Sequence, residues 1–432
     1  MSALILFCGA PAAAQGIALV RDAEIEVLIR DYADPIFAAA GLDPQSIRIH
    51  LVSDDRLNAF VAGGQRIFIH TGLLIEARHP GQVISVIAHE AGHIAGGHLM
   101  RLQDELRNAE AKSIVAFVLG TAAAIAAGDP RVAGAVTVAG QQVALSTLLR
   151  YSRAQESAAD LAALKYLDQT GQSAQGMLEF LQLMAGREAF AGGRENPYLR
   201  THPLSRDRLA AIASHLSLSR YSAAPPPTEL VARHARMRAK LVGFSNRLDD
   251  VLRIYPEADD GVSGRYARAI AYFRRGEIDR ALPLIDTLLA EHPTDPYFHE
   301  LKGQMLFENG RVGEALAPYA EAVRLAPGMP LLRIEFAQVA IELNDADLLP
   351  EATRHLTEAL RKEPRMGMGW RLLVIAYGRQ GEIGSMTLAQ AELALLRGER
   401  EQAKSLAERA ERALPQGSPA WLRAQDIRGQ LD

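Results

Sequence analysis

"VISVIAHEAGHIAGGHLM", residues 83–100, is an apolar run interrupted by three histidines and one glutamate. Val83, Ile84, Ile87, Ala91 and Ile94 recur at three and four residues, the period of a helix with a buried face, and Pro80 suits its first turn. An α-helix turns about 100° per residue, so His89 and His93 lie one above the other. Both rings can aim at a single zinc ion roughly 2.0 Å away, and Glu90, on the adjacent flank, can reach a water beside it. Without a metal, this face would bury two imidazoles and a carboxylate with no stated partner. His98 lies about 140° around the helix from His93 and is expected to face away as a structural residue. The spacing of His50, His70 and His79 recommends none of them as a ligand.

A catalytic zinc needs a third protein ligand and an open position. "YSRAQESAAD", residues 151–160, offers Glu156, with Asp160 four residues later on the same helical face. Glu156 can bind the metal while Asp160 orients a ligand histidine and so fixes which ring nitrogen coordinates. This helix is expected to stop at Gly171. Upstream, "IRIHLVSDD" and "LNAFVAGGQRIFIHTGLL" carry the β-branched and aromatic content of strands, with Gly63-Gly64 as a hairpin turn.

The 432 residues, 48% hydrophobic and 23% charged, suffice for two cores and exclude a disordered chain. The net charge of -4, without a Lys/Arg run interleaved with aromatics, argues against nucleic acid as a partner. A single cysteine, Cys8, permits neither an intrachain disulfide nor a cysteine metal cluster. Residues 1–20 read as a secretory signal or its remnant, with an apolar stretch followed by Ala12, Ala13 and Ala14 but no basic start. Residues 113–149 form two apolar arms around Gly128-Asp129-Pro130, and the uncharged arm 113–127 is shorter than the roughly 20 residues a spanning helix needs. They are expected to form a helical hairpin over the core, with a peripheral contact to a membrane surface as the sharper reading.

Pro225, Pro226 and Pro227 mark the main boundary. Beyond them an aromatic precedes glycine by a few residues three times: Tyr272 and Gly276, Phe307 and Gly310, Tyr377 and Gly381. Pro256, Pro293, Pro327 and Pro364 recur at roughly the 34-residue period of tetratricopeptide helix pairs. Such pairs stack into a curved solenoid with a concave surface. Trp370 and Tyr377 are expected to pack the repeats. Towards the end Gly398, Ala403 and Pro415 keep repeat-like order with drifting spacing. The expected organisation is residues 21–222 as an α+β metallopeptidase domain, mostly helical with a small sheet, then 223–262 as linker and first helices, then 263–432 as an all-α repeat domain.

"HEAGHIAGGH", "SRAQESAAD", "NAFVAGGQRIFIHTGLL" and "THPLSRDR" occur in the order found in the gluzincin metalloproteases that include the CAAX prenyl proteases and HtpX-type quality-control proteases. With the attached repeats and no confident membrane span, the chain most resembles the periplasmic BepA-like branch of Gram-negative bacteria. The resemblance implies His89, His93 and Glu156 as ligands of one zinc per chain, Glu90 as catalytic base and Asp160 as the residue behind a ligand histidine. It implies a periplasmic endopeptidase of outer-membrane protein quality control, with the repeats binding misfolded or unassembled outer-membrane proteins or their assembly machinery. It also places His202 near the active site, where Pro203 biases its backbone to an extended form. There His202 would either stabilise an oxyanion or, the favoured reading, take the open metal position and hold the enzyme latent. A chaperone or assembly scaffold with a latent metal site is the competing function. An embedded prenyl-protein protease is disfavoured by the lack of spans.

Overall fold

The computed structural model describes residues 18–98, 153–190 and 197–431. The signal reading of the first residues, Cys8 and the apolar hairpin at 113–149 lie outside the described residues. Among the described residues, no helix is long and apolar enough to cross a membrane.

The N-terminal lobe opens with the short strand β1 (Leu19–Val20) and helix α1 (Ala23–Ala39). Asp22 caps α1 by accepting from the Ile25 amide, and Glu24 and Glu26 add negative charge at its positive end. Ile25, Leu28, Ile29, Tyr32 and Ile36 recur at helical spacing and are buried. Strands β2 (Arg48–Val52), β3 (Ala59–Ala62) and β4 (Arg66–His70) complete a four-stranded sheet in the order β1-β2-β4-β3. β2 and β4 are parallel, while β1 on β2 and β3 on β4 are antiparallel. Gly63 and Gly64 both take positive φ in the β3–β4 turn, at 61° and 89°, where a side chain would be strained.

Helix α2 (Thr71–Glu76) leads into α3 (Pro80–Ala95), which carries the histidine motif and has Pro80 at its first turn. The lobe continues with α4 (Arg153–Gln169), α5 (Gln175–Phe190), α6 (Pro197–Thr201) and α7 (Arg206–Leu218). β3 is the edge strand, yet Ala59 to Ala62 are all buried, with α3 on the sheet side and α6 also packed against it.

After the three prolines comes α8 (Thr228–Ser245). Its Met237 and Leu241 belong to the core of the N-terminal lobe, and its His234 lies 3.1 Å from the Tyr32 hydroxyl and 2.8 Å from the Ala77 carbonyl. Its Ala239 and Val242 pack instead with Ala267 and Ala271 of the first repeat. One helix therefore serves two cores.

The short α9 (Leu248–Ile254) precedes antiparallel helix pairs: α10 (Val262–Arg274) with α11 (Ile278–Glu291), α12 (Pro296–Glu308) with α13 (Val312–Leu325), α14 (Pro330–Glu342) with α15 (Leu349–Lys362), and α16 (Gly367–Gln380) with α17 (Ile383–Leu396). Helices α18 (Arg400–Ala413) and α19 (Pro419–Gly429) close the array. Gly276, Gly310, Gly381 and Gly398 all hold the left-handed turn inside a pair, and Asn344 does so at φ 54° in the third pair. The drifting spacing near the end has a structural cause. The turns at Gly381 and Gly398 follow one another directly, so α17 closes one pair and opens the next, packing against both α16 and α18 and also against α19. Trp370 donates to the Pro364 carbonyl at 2.8 Å and packs with Tyr377 in the repeat core, as the sequence suggests.

Candidate metal centre

Three chain segments meet at one point. α3 supplies His89, Glu90 and His93, α4 supplies Glu156 and Asp160, and the turn between α6 and α7 supplies His202. α3 and α4 approach closely because Gly92 faces Ala159, and a Cβ on Gly92 would stand 2.8 Å from the Ala159 carbonyl oxygen. The two unspecified positions of the His-Glu-x-x-His motif are thus filled by the smallest residues, which lets the second helix bring its carboxylates to the first.

His89, His93, Glu156 and His202 are buried and each offers one ligand atom to a common cluster. His93 Nε2 lies 3.1 Å from His89 Nε2 and 3.2 Å from Glu156 Oε1, while His202 Nδ1 lies 3.3 Å from His89 Nε2 and 3.1 Å from Glu156 Oε1. Donors at about 2.0–2.1 Å from a tetrahedral ion stand roughly 3.3 Å apart, so this spacing fits a four-coordinate metal. The chemistry of the set also fits zinc, which favours imidazole with carboxylate.

Behind the donors lies a chain of charge. His89 Nδ1 is 2.9 Å from Asp160 Oδ1, which turns Nε2 of that ring to the cluster. Arg208, on α7, donates to both oxygens of Asp160 at 2.6 and 2.9 Å, and its third nitrogen lies 2.8 Å from Glu156 Oε2 and donates to the Pro203 carbonyl at 2.9 Å. One buried guanidinium thus ties the carboxylates of α4 to the turn that carries His202. Ser205 caps α7 by accepting from the Arg208 amide, which sets the direction from which Arg208 enters.

Burial disfavours charge throughout, and the pairs decide which groups keep it. Despite burial, Glu156 and Asp160 push His89 up to about 10. Burial holds His93 well below the usual histidine value. Against burial, His202 and His89 hold Glu156 well below the ordinary carboxylate range, and Arg208 with His89 does the same for Asp160. Glu90 behaves differently. Burial raises it, and among the described residues neither of its oxygens accepts a hydrogen bond, with His202 Nε2 3.4 Å from Oε1. A carboxyl raised towards neutrality beside a metal cradle can take and return a proton.

Every sequence-predicted site residue is drawn into this one site. His98 departs from expectation. α3 stops at Ala95, and Gly97 at φ 62° turns the chain so that His98 Nδ1 comes within 2.9 Å of His93 Nδ1. The expected facing-away assumed a helix that continues, whereas the glycine pair ends it and folds His98 onto the back of a ligand histidine. It is not one of the four converging donors. Sequence reasoning gave Arg208 and Tyr198 no role. The Tyr198 ring lies against His202 at 4.6 Å and is itself buttressed edge-on by Phe180. Two carboxylates four apart on a helix bound for a buried site require a cation, but that signal does not say which of the chain's basic residues supplies it.

Residues 20–216 match the model of peptidase family M48, and residues 266–330 match a tetratricopeptide repeat model. The chain is 24% identical over 412 residues to the beta-barrel assembly-enhancing protease of Yersinia pestis, covering 93% of this chain and 82% of that protein. It is 25% identical over 374 residues to the protein of that name in Escherichia coli (strain K12), covering 85% and 75%. It is also 28% identical over 192 residues to the mitochondrial metalloendopeptidase OMA1 of Saccharomyces cerevisiae, covering 43% and 51%. With the His-Glu-x-x-His helix, the carboxylate helix and the repeat array joined in one chain, the protein is a metalloendopeptidase whose residues 20–216 resemble peptidase family M48, followed by tetratricopeptide repeats, and it is similar over most of its length to the beta-barrel assembly-enhancing proteases.

Proposed function

We propose that this chain is a zinc endopeptidase of the Gram-negative periplasm that cleaves misfolded or stalled outer-membrane proteins and is held silent at rest by His202. In this reading residues 21–222 form the peptidase domain, and 263–432 form the repeat domain that binds clients or their assembly machinery. His89, His93 and Glu156 hold the metal, Asp160 orients His89, and Glu90 is the base. The observation that carries the reading is the convergence of four buried donors at tetrahedral spacing beside a carboxylate, Glu90, that accepts no hydrogen bond among the described residues.

The chemistry that zinc supplies when bound is Lewis acidity, which polarises the scissile carbonyl and lowers the pKa of the attacking water. Glu90 takes the proton of that water and returns it to the leaving amine, and its raised pKa suits both transfers. Asp160 and Arg208 keep His89 and Glu156 aligned throughout. Substrate must lie extended for this, and the edge strand β3 can accept it by main-chain pairing, which reads few side chains and suits clients of varied sequence. The same segment supports latency on two counts: His202 fills the fourth corner of the donor set, and α6 just before it covers β3. Displacing residues 197–203 would open the metal position and the strand edge together. A scaffold with a latent metal site shares the His202 observation, but gives no reason for a buried carboxylate that accepts no hydrogen bond beside the cluster.

The test is Glu90→Gln in the full chain, assayed for casein digestion and for zinc content with and without chelator. Proteolysis should vanish while about one zinc per chain remains. Undiminished digestion by this variant would reject the enzymatic reading.

A further inference from the structure

Where β2 and β4 run side by side, their register sets Arg48 directly opposite Arg66. Like charges facing each other across neighbouring strands are destabilising, and both residues retain solvent access. Among the described residues no carboxylate forms an ion pair with either, and Arg66 turns to its own hairpin, donating to the Gly63 carbonyl at 3.2 Å. The repeat array adds a third cation at the same place. β1 pairs with β2 through Val20 and Leu51, so the next residue, Arg21, falls beside His50. Arg21 is committed to two acids, Glu26 at 2.6 Å and Glu363 at 2.8 Å. Glu363 belongs to the turn between α15 and α16, and that contact brings Arg365, exposed and without an ion-pair partner among the described residues, to the end of the sheet.

We infer that Arg48, Arg66 and Arg365 form a docking site for an acidic, Asp/Glu-bearing segment of a partner protein, seated in the corner between the sheet and the repeat array.

Three features of the corner agree with an anionic occupant. The N-terminus of α16 lies two residues beyond Arg365 and has no side-chain cap, so its free amides and positive dipole end add to the same field. Burial and the charges of Arg365 and Arg48 hold Arg66 below the usual arginine value, the mark of a cation lacking its counter-charge. His50, stacked on Phe68 at 5.0 Å, is pushed down to about 4 by burial and by Arg66, Arg21 and Arg48, so it is a neutral ring. Its buried Nε2 has no hydrogen-bond partner among the described residues. Planar guanidinium forks match carboxylates in pairs of parallel hydrogen bonds. The three forks come from three separate segments of the chain: β2, β4 and the turn before α16. Cations spaced over separate segments offer successive pairing points to the carboxylates of an extended acidic segment. No residue of the metal centre takes part, so the site stands or falls apart from the proteolytic reading.

The experiment measures fluorescence polarisation of a labelled hexaglutamate peptide with the full zinc-loaded chain at low salt, with hexaserine as the control. Wild type should bind hexaglutamate and not hexaserine, and should release it as salt rises. Arg66→Glu and Arg365→Glu should each weaken binding by about fivefold or more, and the double variant further. Arg361→Glu, in the last helical turn of α15, should leave it within about twofold. Zinc content and melting temperature establish that each variant is folded. Absence of hexaglutamate binding by wild type, or wild-type binding by Arg66→Glu or by Arg365→Glu, would overturn the site. Displacement of the peptide by phosphatidylglycerol vesicles with higher affinity, or by millimolar inorganic phosphate, would assign the corner to lipid headgroups or phosphate and overturn the protein partner.

Discussion

Replacing Arg208 by Ala tests the charge chain behind the metal centre most severely. The guanidinium makes two hydrogen bonds to Asp160, stands against Glu156 and holds the Pro203 carbonyl, all in a buried setting. Its removal leaves two carboxylates in the interior without their shared cation, a change that costs about 3–5 kcal/mol when one partner of a buried pair is deleted. For a lobe of this size each kcal/mol moves the melting point by about 2–4 °C, so the metal-free protein should melt roughly 6–20 °C lower. The metal-bound protein should suffer less, because zinc would neutralise part of Glu156. Loss of a residue that orients ligands also weakens metal binding by about 10–100-fold, which is about 1.4–2.8 kcal/mol. Arg208→Lys keeps the charge but not the fork to Asp160, and should fall between wild type and Ala. The assays are thermal melts with and without zinc, and competition for zinc against a chelating dye. If Arg208→Ala melts like wild type and holds zinc as tightly, the guanidinium supports nothing and the account of the site is wrong.

Gly92→Val should drive α3 and α4 apart, since its first added carbon already meets the Ala159 carbonyl at 2.8 Å. The variant should retain both motif histidines yet lose most bound zinc, and wild-type metal content on elemental analysis would contradict this. Because Glu156 and Asp160 keep His89 charged up to about pH 10 in the metal-free site, it must shed a proton before it can bind a metal. Zinc loading near pH 7.5 should therefore release roughly one proton from this ring, and affinity should rise with pH until about 10. Calorimetry in buffers of differing ionisation enthalpy measures this, and zero net release would refute it. His202→Ala should raise hydrolysis of an unfolded protein while three ligands keep the zinc. A fall of about 10² or more would instead make His202 an electrophile.

Three of the four donors and the base were legible because helical periodicity is rigid, whereas His202, on a turn, was reached only through the family resemblance. Once residues 80–95 are a helix, His89, Glu90 and His93 have fixed directions, and the pair Glu156 and Asp160 follows by the same rule on α4. What escaped was whatever depended on a helix ending or on contact between helices. His98 could be placed only by knowing that Gly96-Gly97 stops α3, and Arg208 only by knowing that α7 folds back over α4. The third repeat lacks the aromatic-glycine signature because Asn344 tolerates the left-handed turn that glycine fills elsewhere. The doubled use of α17 was invisible because a spacing of prolines does not say which helices pair. Strands β3 and β4 fall on the segments that β-branched and aromatic content and the glycine pair indicate, but their place at the edge and beside β2 depends on chain crossing, which local pattern does not encode.

The helix that follows the three prolines has a wider meaning for how this chain can be divided. A linker lets two lobes turn, fold and fail independently, whereas α8 is a spine with Met237 and Leu241 sunk in one core and Ala239 and Val242 in the other. Lys240, on the same turn, is buried between Asp22 and Glu24 of the first lobe and Glu300 of the array. Loosening the repeats therefore strips a wall from the peptidase, and cutting the chain at the prolines removes a core helix from it. Selection on the array for new partners must conserve the foldedness of the enzyme it carries. The two lobes inherit each other's stability, and a lesion in either is paid by both.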